Sequence, residues 1–273
     1  MLTTIMLYKY KPFGNEIRFL NTTISTATNT RFNLKGKSLT KKILQFTGLP
    51  HFGARLRAFY LKQLLKSLDA PQNILDTGCG IGLNSFLAAQ KGFKVTGVDN
   101  NKEKIIIAER MLSSAKYPNV RFVYGDITKM EFKDESFTSI ICFEVLEHID
   151  NDKKALNEIS RVLKRNGILL LSTPGISFIS RINQKTKHHV REGYSLQEIS
   201  EKLHDVGLEI TKLIKIEHTP LGFLLRFLND EIHRRSLLTT TLLFPLFFPL
   251  AIIDGFLPEI ITPSNWIVVA KKK

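Results

Sequence analysis

From Ile74 onwards, short apolar runs alternate with longer amphipathic stretches, and this alternation constrains the fold more than any other feature. The runs predict strands at residues 73–77, 94–98, 120–124, 138–143, 168–172, 208–216 and 266–270. The amphipathic stretches predict helices at residues 82–91, 102–115, 152–164 and 195–206. Strands that alternate with helices form a mostly parallel sheet covered by helices on both faces. We therefore expect an α/β fold whose ligands bind at the carboxyl ends of the strands.

Residue types at the helix ends agree with this assignment. Ser195 is a predicted N-cap, and Glu198 three residues later completes a capping-box pattern. Gly207 is predicted to end that helix, and Asn166-Gly167 is predicted to end the preceding one.

A glycine-rich turn, Asp76-Thr77-Gly78-Cys79-Gly80-Ile81-Gly82, follows the first predicted strand. Glycine permits positive φ and lets a ligand approach the backbone closely. The amides at the start of the next helix can then face a polar or anionic group. A dinucleotide-binding turn has the spacing G-x-G-x-x-G, whereas this turn has G-x-G-x-G. The spacing favours a methyltransferase over a nicotinamide enzyme; a turn that serves only helix–strand packing is the alternative.

Two acidic residues end later strands. Asp99 can accept two charge-assisted hydrogen bonds from a ribose diol, although it would suit a nicotinamide dinucleotide equally well. Asp126 lies between Gly125 and Ile127, where it can accept a bond from an adenine amino group while Ile127 contacts the ring. A turn-capping role is the alternative for Asp126. Phe143 also lies at a predicted strand end.

The stretch from Ile74 to Leu171 resembles class I S-adenosylmethionine-dependent methyltransferases of the methyltransferase type 11 or ubiquinone-biosynthesis O-methyltransferase kind. The matching segments are LDTGCGIG at 75–82, VD at 98–99, GDI at 125–127, DESF at 134–137, EVLEH at 144–148 and RVLKRNG at 161–167. Their order and spacing together are highly specific. The resemblance covers residues 55–216, and residues 266–270 fit the family's closing strand. It implies a Rossmann-like seven-stranded sheet whose last strand is antiparallel.

The resemblance also implies S-adenosylmethionine as the cofactor. In such enzymes the glycine turn holds the methionine moiety, the Asp99 position holds the ribose and the Asp126 position faces adenine. The quinone-pathway enzymes place an arginine near the cofactor carboxylate at the position of Arg57, a role that a guanidinium suits; one basic residue among many is the alternative. The candidate cofactor-binding residues are Asp76, Gly78, Cys79, Gly80, Gly82, Asp99, Asn100, Asp126, Ile127, Phe143 and Arg57.

The EVLEH segment is similar to that of ubiquinone-biosynthesis O-methyltransferases, which are associated with a divalent metal at the matching positions. This resemblance implies that Glu144, Glu147 and His148 are metal ligands. Two carboxylates and an imidazole suit such a cation, and the three would share one face if that stretch were helical. EVLEH also occurs in relatives with no known metal, and a helix-capping or substrate-orienting role is the alternative. Glu147, His148 and His189 are the candidate catalytic residues, because each could take a proton from an acceptor hydroxyl.

The loop at residues 188–194 follows the fifth predicted strand and should overhang the acceptor pocket. His189, Arg191 and Tyr194 are interpreted as residues of the pocket rim, with surface-loop packing as the alternative.

Most of the net charge of +14 lies near the N-terminus, because residues 1–68 contain twelve Lys/Arg and a single acid, Glu16. We expect a basic extension at residues 1–50 and a methyltransferase domain at 51–273. A basic arm suits an anionic membrane surface or nucleic acid, or is a solvated leader. Its composition would also fit an organelle transit peptide. Two cysteines in apolar contexts predict no disulfide framework and favour a reducing, cytoplasmic setting.

An apolar insertion at residues 219–262, which we expect to be helical, precedes the last predicted strand. Residues 236–253 carry no charge, and Pro245 and Pro249 interrupt them. The length is marginal for a membrane span, and a single crossing would separate the last strand from its sheet. The remaining interpretations are contact with a membrane interface, an apolar lid over the substrate, and a dimer contact.

These features predict an S-adenosylmethionine-dependent methyltransferase that acts on a small or lipid-linked acceptor, at an oxygen. Membrane-surface contact through residues 219–262 and the basic N-terminus is expected, with the protein peripheral to the membrane. One alternative is a non-catalytic module that binds the cofactor or a membrane and keeps the fold. A nucleic-acid methyltransferase is the other, and it rests on the basic arm alone, without the interleaved aromatics that would favour RNA.

Overall fold

The computed structural model describes residues 52–69, 72–115, 117–176 and 190–273. The predicted basic extension and His189 therefore lie outside the described residues. In chain order the elements are α1 (Phe52–Lys66), β1 (Asn73–Thr77), α2 (Leu83–Ala89), β2 (Lys94–Asp99), α3 (Lys102–Ala115), β3 (Val120–Tyr124), β4 (Phe137–Phe143), a 3₁₀ turn (Leu146–His148), α4 (Asp152–Val162), β5 (Leu163–Pro174), α5 (Leu196–Asp205), β6 (Leu208–Ile216), α6 (Pro220–Arg235), α7 (Leu237–Asp254) and β7 (Asn265–Lys272).

The seven strands form one sheet in the order β3-β2-β1-β4-β5-β7-β6. Strands β1 to β5 pair in parallel, and β7 runs antiparallel to both β5 and β6. The predicted Rossmann-like sheet with an antiparallel last strand is confirmed. The strand order reverses between β1 and β4, and in open α/β sheets ligands bind at the carboxyl ends of the two strands where the order reverses.

Apolar side chains cover both faces of the sheet. Neighbouring residues of β1 show the alternation: Ile74 packs in one cluster and Leu75 in the other, and both are fully buried. Successive side chains of a strand point to opposite faces, so a strand buried on both faces is continuously apolar. Helices α1, α2 and α3 cover the Ile74 face, and α4 and α5 cover the Leu75 face.

One predicted boundary is wrong. Helix α4 ends at Val162, and β5 begins directly at Leu163, which pairs with Phe137. The register then shifts, so that Asn166-Gly167, with Asn166 at φ +61°, lies in an irregularity of β5 and not at a helix end. The tertiary pairing of Leu163 with β4 overrides the local stop signal.

The cap of α5 matches the prediction. The Ser195 hydroxyl accepts a hydrogen bond from the Glu198 amide at 3.1 Å, and Gly207 follows the helix at φ +76°. The Glu198 carboxylate accepts from Arg191 at 2.6 Å, outside the capping box.

The insertion is helical, as predicted, and forms a hairpin of α6 and α7. Thr219 and Ser236 cap the two helices through their hydroxyls. Helix α7 packs on α1, where the rings of Phe52 and Phe244 lie 6.3 Å apart. Within the described ranges, no helix combines the length and apolar content that a membrane crossing needs.

Candidate cofactor and acceptor site

The glycine turn joins β1 to α2 with three residues in the left-handed region, Gly78 at φ +64°, Gly80 at +56° and Gly82 at +89°. A β-carbon at Gly78 would lie 2.5 Å from a methyl group of Val145, and one at Gly82 would lie 2.5 Å from the Phe122 ring. A β-carbon at Gly80 would meet nothing within 4 Å. Two glycines therefore allow packing inside the protein, whereas Gly80 borders open space that a ligand can occupy.

Asp99 ends β2 and ties the turn to it, with 6% of its surface exposed. Its Oδ2 accepts a hydrogen bond from the Gly80 amide, and its Oδ1 accepts one from the Asn101 amide, both at 2.8 Å. Each carboxylate oxygen can accept more than one bond. Asp99 thus holds the turn in place, and its two oxygens can each accept a further hydrogen bond from a diol.

Asp76 lies at the base of the turn and is almost completely buried. The Ser85 hydroxyl donates to its Oδ2 at 2.6 Å, while its Oδ1 is buried without a hydrogen-bond partner. Burial raises the pKa of this carboxyl to about 7, against the lowering effect of the Ser85 bond. Asp76 therefore braces α2 against β1, and sequence reasoning missed its partner Ser85.

The other predicted cofactor residues gather at the same edge, near the ends of β1 to β4. Asn100 and Asp126 are exposed, and the Asp126 Oδ1 accepts from the Thr128 amide at 2.8 Å. The turn-capping interaction weighed for Asp126 is thus present, and its second oxygen stays available to a ligand. The apolar members Cys79, Ile127 and Phe143 are buried.

A partly buried polar cluster lies at the end of β4. Glu144, at φ +56°, lies 3.2 Å from the Arg57 guanidinium. Its Oε1 accepts from the Ser172 hydroxyl at 2.9 Å and from the Asn265 amide at 2.8 Å. Ser172 and Asn265 also bond to each other at 2.9 Å. The cluster joins α1, β4, β5 and β7 at the carboxyl edge of the parallel strands.

Glu147 lies one turn further on, with 1% of its surface exposed. Burial and the nearby charge of Glu144 raise the pKa of its carboxyl to about 8. Its Oε1 lies 3.9 Å from the His148 Nε2, and its Oε2 is buried without a hydrogen-bond partner. Its carbonyl accepts hydrogen bonds from the Val190 and Arg191 amides, which holds residues 190 and 191 against this turn.

Residues 68–216, more than half of the chain, match the model of a family described as a methyltransferase domain. The chain belongs to the S-adenosylmethionine-dependent methyltransferases. The match contains the glycine turn, Asp99, Asp126 and Glu147. The placement of the cofactor at the open face of Gly80 stays a prediction. Arg57 lies before the matched range, and its predicted contact with the cofactor carboxylate stays a prediction.

Several curated relatives carry methyltransferase names. A "Probable S-adenosylmethionine-dependent methyltransferase" of Mycolicibacterium smegmatis is 28% identical over 158 residues, which span 57% of this chain and 59% of that protein. A ubiquinone biosynthesis O-methyltransferase of Pseudomonas paraeruginosa is 28% identical over 177 residues, which span 59% of this chain and 75% of that protein. This chain thus spans less than two thirds of the Mycolicibacterium relative.

Solved structures share the fold. The YcgJ protein of Bacillus subtilis matches with a TM-score of 0.57 and 22% identity, covering 79% of this chain and 98% of that one. A geranyl diphosphate methyltransferase, solved with GPP and sinefungin, matches with a TM-score of 0.59 and 18% identity, covering 80% of this chain and 77% of that one.

Among the described residues, the structure shows no metal site at Glu144, Glu147 and His148. Glu144 is engaged by Arg57, Ser172 and Asn265, and Glu147 sits on a 3₁₀ turn instead of an α-helix. Among the residues that the structure describes, no three His, Cys, Asp or Glu side chains converge as metal ligands do. The left-handed Glu144 is the physical reason, because it turns the segment out of the helix that would align the three groups.

The interpretation of Tyr194 as a rim residue is wrong. Tyr194 is completely buried, and its hydroxyl donates to the Asp152 carboxylate at 2.8 Å. The Arg191 guanidinium lies over the Tyr194 ring, 4.6 Å from its centroid, and also pairs with Glu198 at 2.6 Å. These contacts hold Tyr194 against α4 and Arg191 against α5.

The glycines of the turn allow a paired test. We expect Gly78→Ala to lower the melting temperature by several degrees, because its β-carbon would overlap Val145 in a strained conformation. We expect Gly80→Ala to lower it less and to weaken S-adenosylmethionine binding at least tenfold, because its methyl group enters the open space. Thermal denaturation and calorimetric titration of both variants check this. Equal binding losses in two equally stable variants would contradict the assignment of the open face.

Proposed function

We propose that this methyltransferase transfers a methyl group to a hydroxyl oxygen of a small or lipid-linked acceptor, and that Glu147 accepts the hydroxyl proton. The observation that carries the proposal is the buried Glu147 carboxylate, with a pKa raised to about 8, at the carboxyl end of β4. A general base works best when its pKa lies near the operating pH.

The glycine turn supports the placement of this base. Val145, two residues before Glu147, packs against Gly78 of the turn. The base and the cofactor position therefore flank one crevice at the ends of β1 and β4. S-adenosylmethionine supplies a methyl group on a sulfonium, which is already a good leaving group. The protein then has to align the acceptor and remove its proton.

Buried oxygens near the strand ends support a hydroxyl acceptor. Glu147 Oε2, Thr173 Oγ1 and Glu217 Oε1 are buried without hydrogen-bond partners, at the ends of β4, β5 and β6. A buried polar atom left unpaired costs about 1–3 kcal/mol. An acceptor that carries hydroxyl groups would supply donors to these atoms. The O-methyltransferase names of several relatives agree with this chemistry.

The two histidines are secondary candidates for the base. The His148 side chain is 40% exposed, and its Nε2 lies 3.9 Å from the Glu147 carboxylate. His189 lies outside the described residues and stays a prediction.

A mass-spectrometric search with methyl-deuterated cofactor tests the proposal. Wild-type protein is incubated with small-molecule and lipid extracts, and products that gain the labelled methyl group are fragmented to locate it. Asp99→Ala, which should not bind the cofactor, is the matched control. We expect a labelled methyl ether that the control does not make. A label on nitrogen, carbon or sulfur would reject the hydroxyl acceptor. Cofactor binding without any labelled product would favour the non-catalytic alternative.

A further inference from the structure

The α6–α7 hairpin and the turn after it expose an unusual share of large apolar side chains. Of fifteen such side chains exposed within the described part of the chain, eleven lie in this segment. They are Leu221, Leu224, Phe227, Leu228, Leu242, Leu246, Leu250, Ile253, Phe256, Leu257 and Ile260. We call these eleven residues the hairpin face. Concentration of apolar surface in one place marks an interaction site more than scattered exposure does.

Helix α7 has two distinct apolar sides. Phe244, Phe248 and Ala251 are buried, and Phe248 meets Phe59 of α1 with ring centroids 6.4 Å apart. On the other side, Leu242 and Leu246 are 63% and 62% exposed, with Leu250 and Ile253 following at helical spacing. A helix needs one apolar side to pack on its own protein. The second side of α7 is therefore available for a contact outside the chain.

The composition of this second side of α7 favours a lipid surface over a protein as the binding partner. From Leu242 to Ile253 it presents only hydrocarbon side chains, and residues 236–253 contain no charge. The acid that ends the helix, Asp254, is turned inward and buried, bonded to Thr219 and Gly222. Protein interfaces combine an apolar centre with directional hydrogen bonds. A lipid surface requires burial of apolar area and has no such requirement.

The sequence that precedes α1 is strongly basic. Residues 1–51 contain eight Lys/Arg and one acid. This segment joins the described structure at Phe52, whose ring packs on Phe244 of α7. Anionic headgroups attract basic segments that lie near a membrane surface. Two weak membrane-binding signals together give much more stable membrane binding than one.

We propose that the hairpin face docks in the interface of an anionic phospholipid bilayer, with the basic N-terminal segment against the headgroups. The contact is peripheral: the hairpin lies along the surface, and both ends of the insertion stay joined to β6 and β7 in the same sheet. This inference stands on the hairpin face and the charge distribution, and it does not depend on the acceptor or on Glu147.

Vesicle flotation of the full chain tests the docking. The probes are vesicles of phosphatidylcholine alone and of phosphatidylcholine with phosphatidylglycerol. The variants are Leu246→Glu, the double variant Leu242→Glu/Leu246→Glu, and the matched control Ile106→Glu, which replaces a 39% exposed side chain on α3. A cooperative thermal denaturation transition establishes that each variant is folded, and cofactor binding is measured separately by calorimetric titration.

We expect the wild type and the control to float with the anionic vesicles, and more weakly with the neutral ones or at high salt. Burial of one leucine corresponds to about a tenfold change in partitioning. The partition coefficient should therefore fall about tenfold in the single variant and about a hundredfold in the double variant, with cofactor binding unchanged.

Three outcomes would overturn the proposal. One is a wild type that floats with neither vesicle. The second is equal partitioning of the control and the double variant. The third combines two results: the wild type is a dimer and the double variant a monomer in analytical ultracentrifugation, and the two float equally well. The hairpin face would then bind a second copy of the chain. Cofactor binding and methyl transfer are measured separately, so their failure would leave this result unaffected.

Discussion

Replacing Asp99 with alanine is expected to weaken S-adenosylmethionine binding by a hundredfold or more. The carboxylate is buried at the end of β2 and faces the turn through Gly80. A hydrogen bond to a charged group contributes about 1.5–3 kcal/mol, so the loss of two bonds to a diol removes about 3 kcal/mol or more. Each 1.36 kcal/mol is a factor of ten in affinity. Calorimetric titration measures the change directly.

Asp126→Ala is the control for this prediction. Asp126 also ends a strand in the same edge, but it is exposed, and one of its oxygens already accepts from Thr128. Its replacement should weaken binding about tenfold or less, because an exposed hydrogen bond contributes little beyond what water supplies. Asp99→Asn should fall between the two, since the amide keeps one acceptor oxygen. Undiminished binding in Asp99→Ala would contradict the placement of the cofactor.

The loss of cofactor affinity in Asp99→Ala has to be distinguished from a loss of folded protein. Removal of the carboxylate also frees the Gly80 and Asn101 amides that it accepts from. The turn is held independently by a bond from the Cys79 amide to the Val98 carbonyl at 2.9 Å. We therefore expect a small decrease in melting temperature and a large decrease in affinity.

The sheet and the cofactor side of the site could be predicted from the sequence because their signals are local. A strand buried on both faces is a short apolar run, and the residue that follows it lies at the ligand edge. Asp99 and the glycine turn each follow such a run directly, and they contact each other as the parallel pairing of β1 and β2 requires.

The acceptor side could not be predicted in the same way. Glu144 and Asn265, 121 residues apart, meet only because β5 lies between β4 and β7 in the sheet. Glu144 also adopts a left-handed conformation that a non-glycine residue rarely takes, and the local pattern of the EVLEH segment does not reveal it. Tyr194 was misplaced for a related reason, because its buried partner Asp152 is distant in sequence.

Replacing Glu147 with glutamine is expected to lower the methyl-transfer rate by about 10²–10⁴-fold, the usual contribution of a general base. Glutamine keeps the shape and cannot accept the proton. The wild-type rate should rise with pH and level off above about 8, because the carboxyl must be ionised to act and its pKa is raised to about 8. This rise should be absent from Glu147→Gln. Rates with the identified acceptor at saturating cofactor, from pH 6 to 9, measure both effects.

Glu144→Gln should shift the same profile. The Glu144 charge is one cause of the raised pKa of Glu147, and Arg57 opposes it. With Glu144 neutral and Arg57 retained, the Glu147 pKa should fall, and the rate should level off at a lower pH. A purely structural role for Glu147 would leave the midpoint of the profile unchanged.

The pH dependence of stability distinguishes a general-base role of Glu147 from a purely structural one. The folded-state pKa of Glu147 lies above its ordinary value of 4.5, so folding favours the protonated form. Its contribution to stability is therefore full below about pH 4.5 and is lost as the pH rises through about 8. Glutamine cannot ionise and avoids this loss. Glu147→Gln should thus match the wild type in melting temperature at low pH and equal or exceed it at pH 8, while its rate is far lower. A variant that is less stable at pH 8 as well as slower would show that the carboxylate holds the fold together and would reject its assignment as the base.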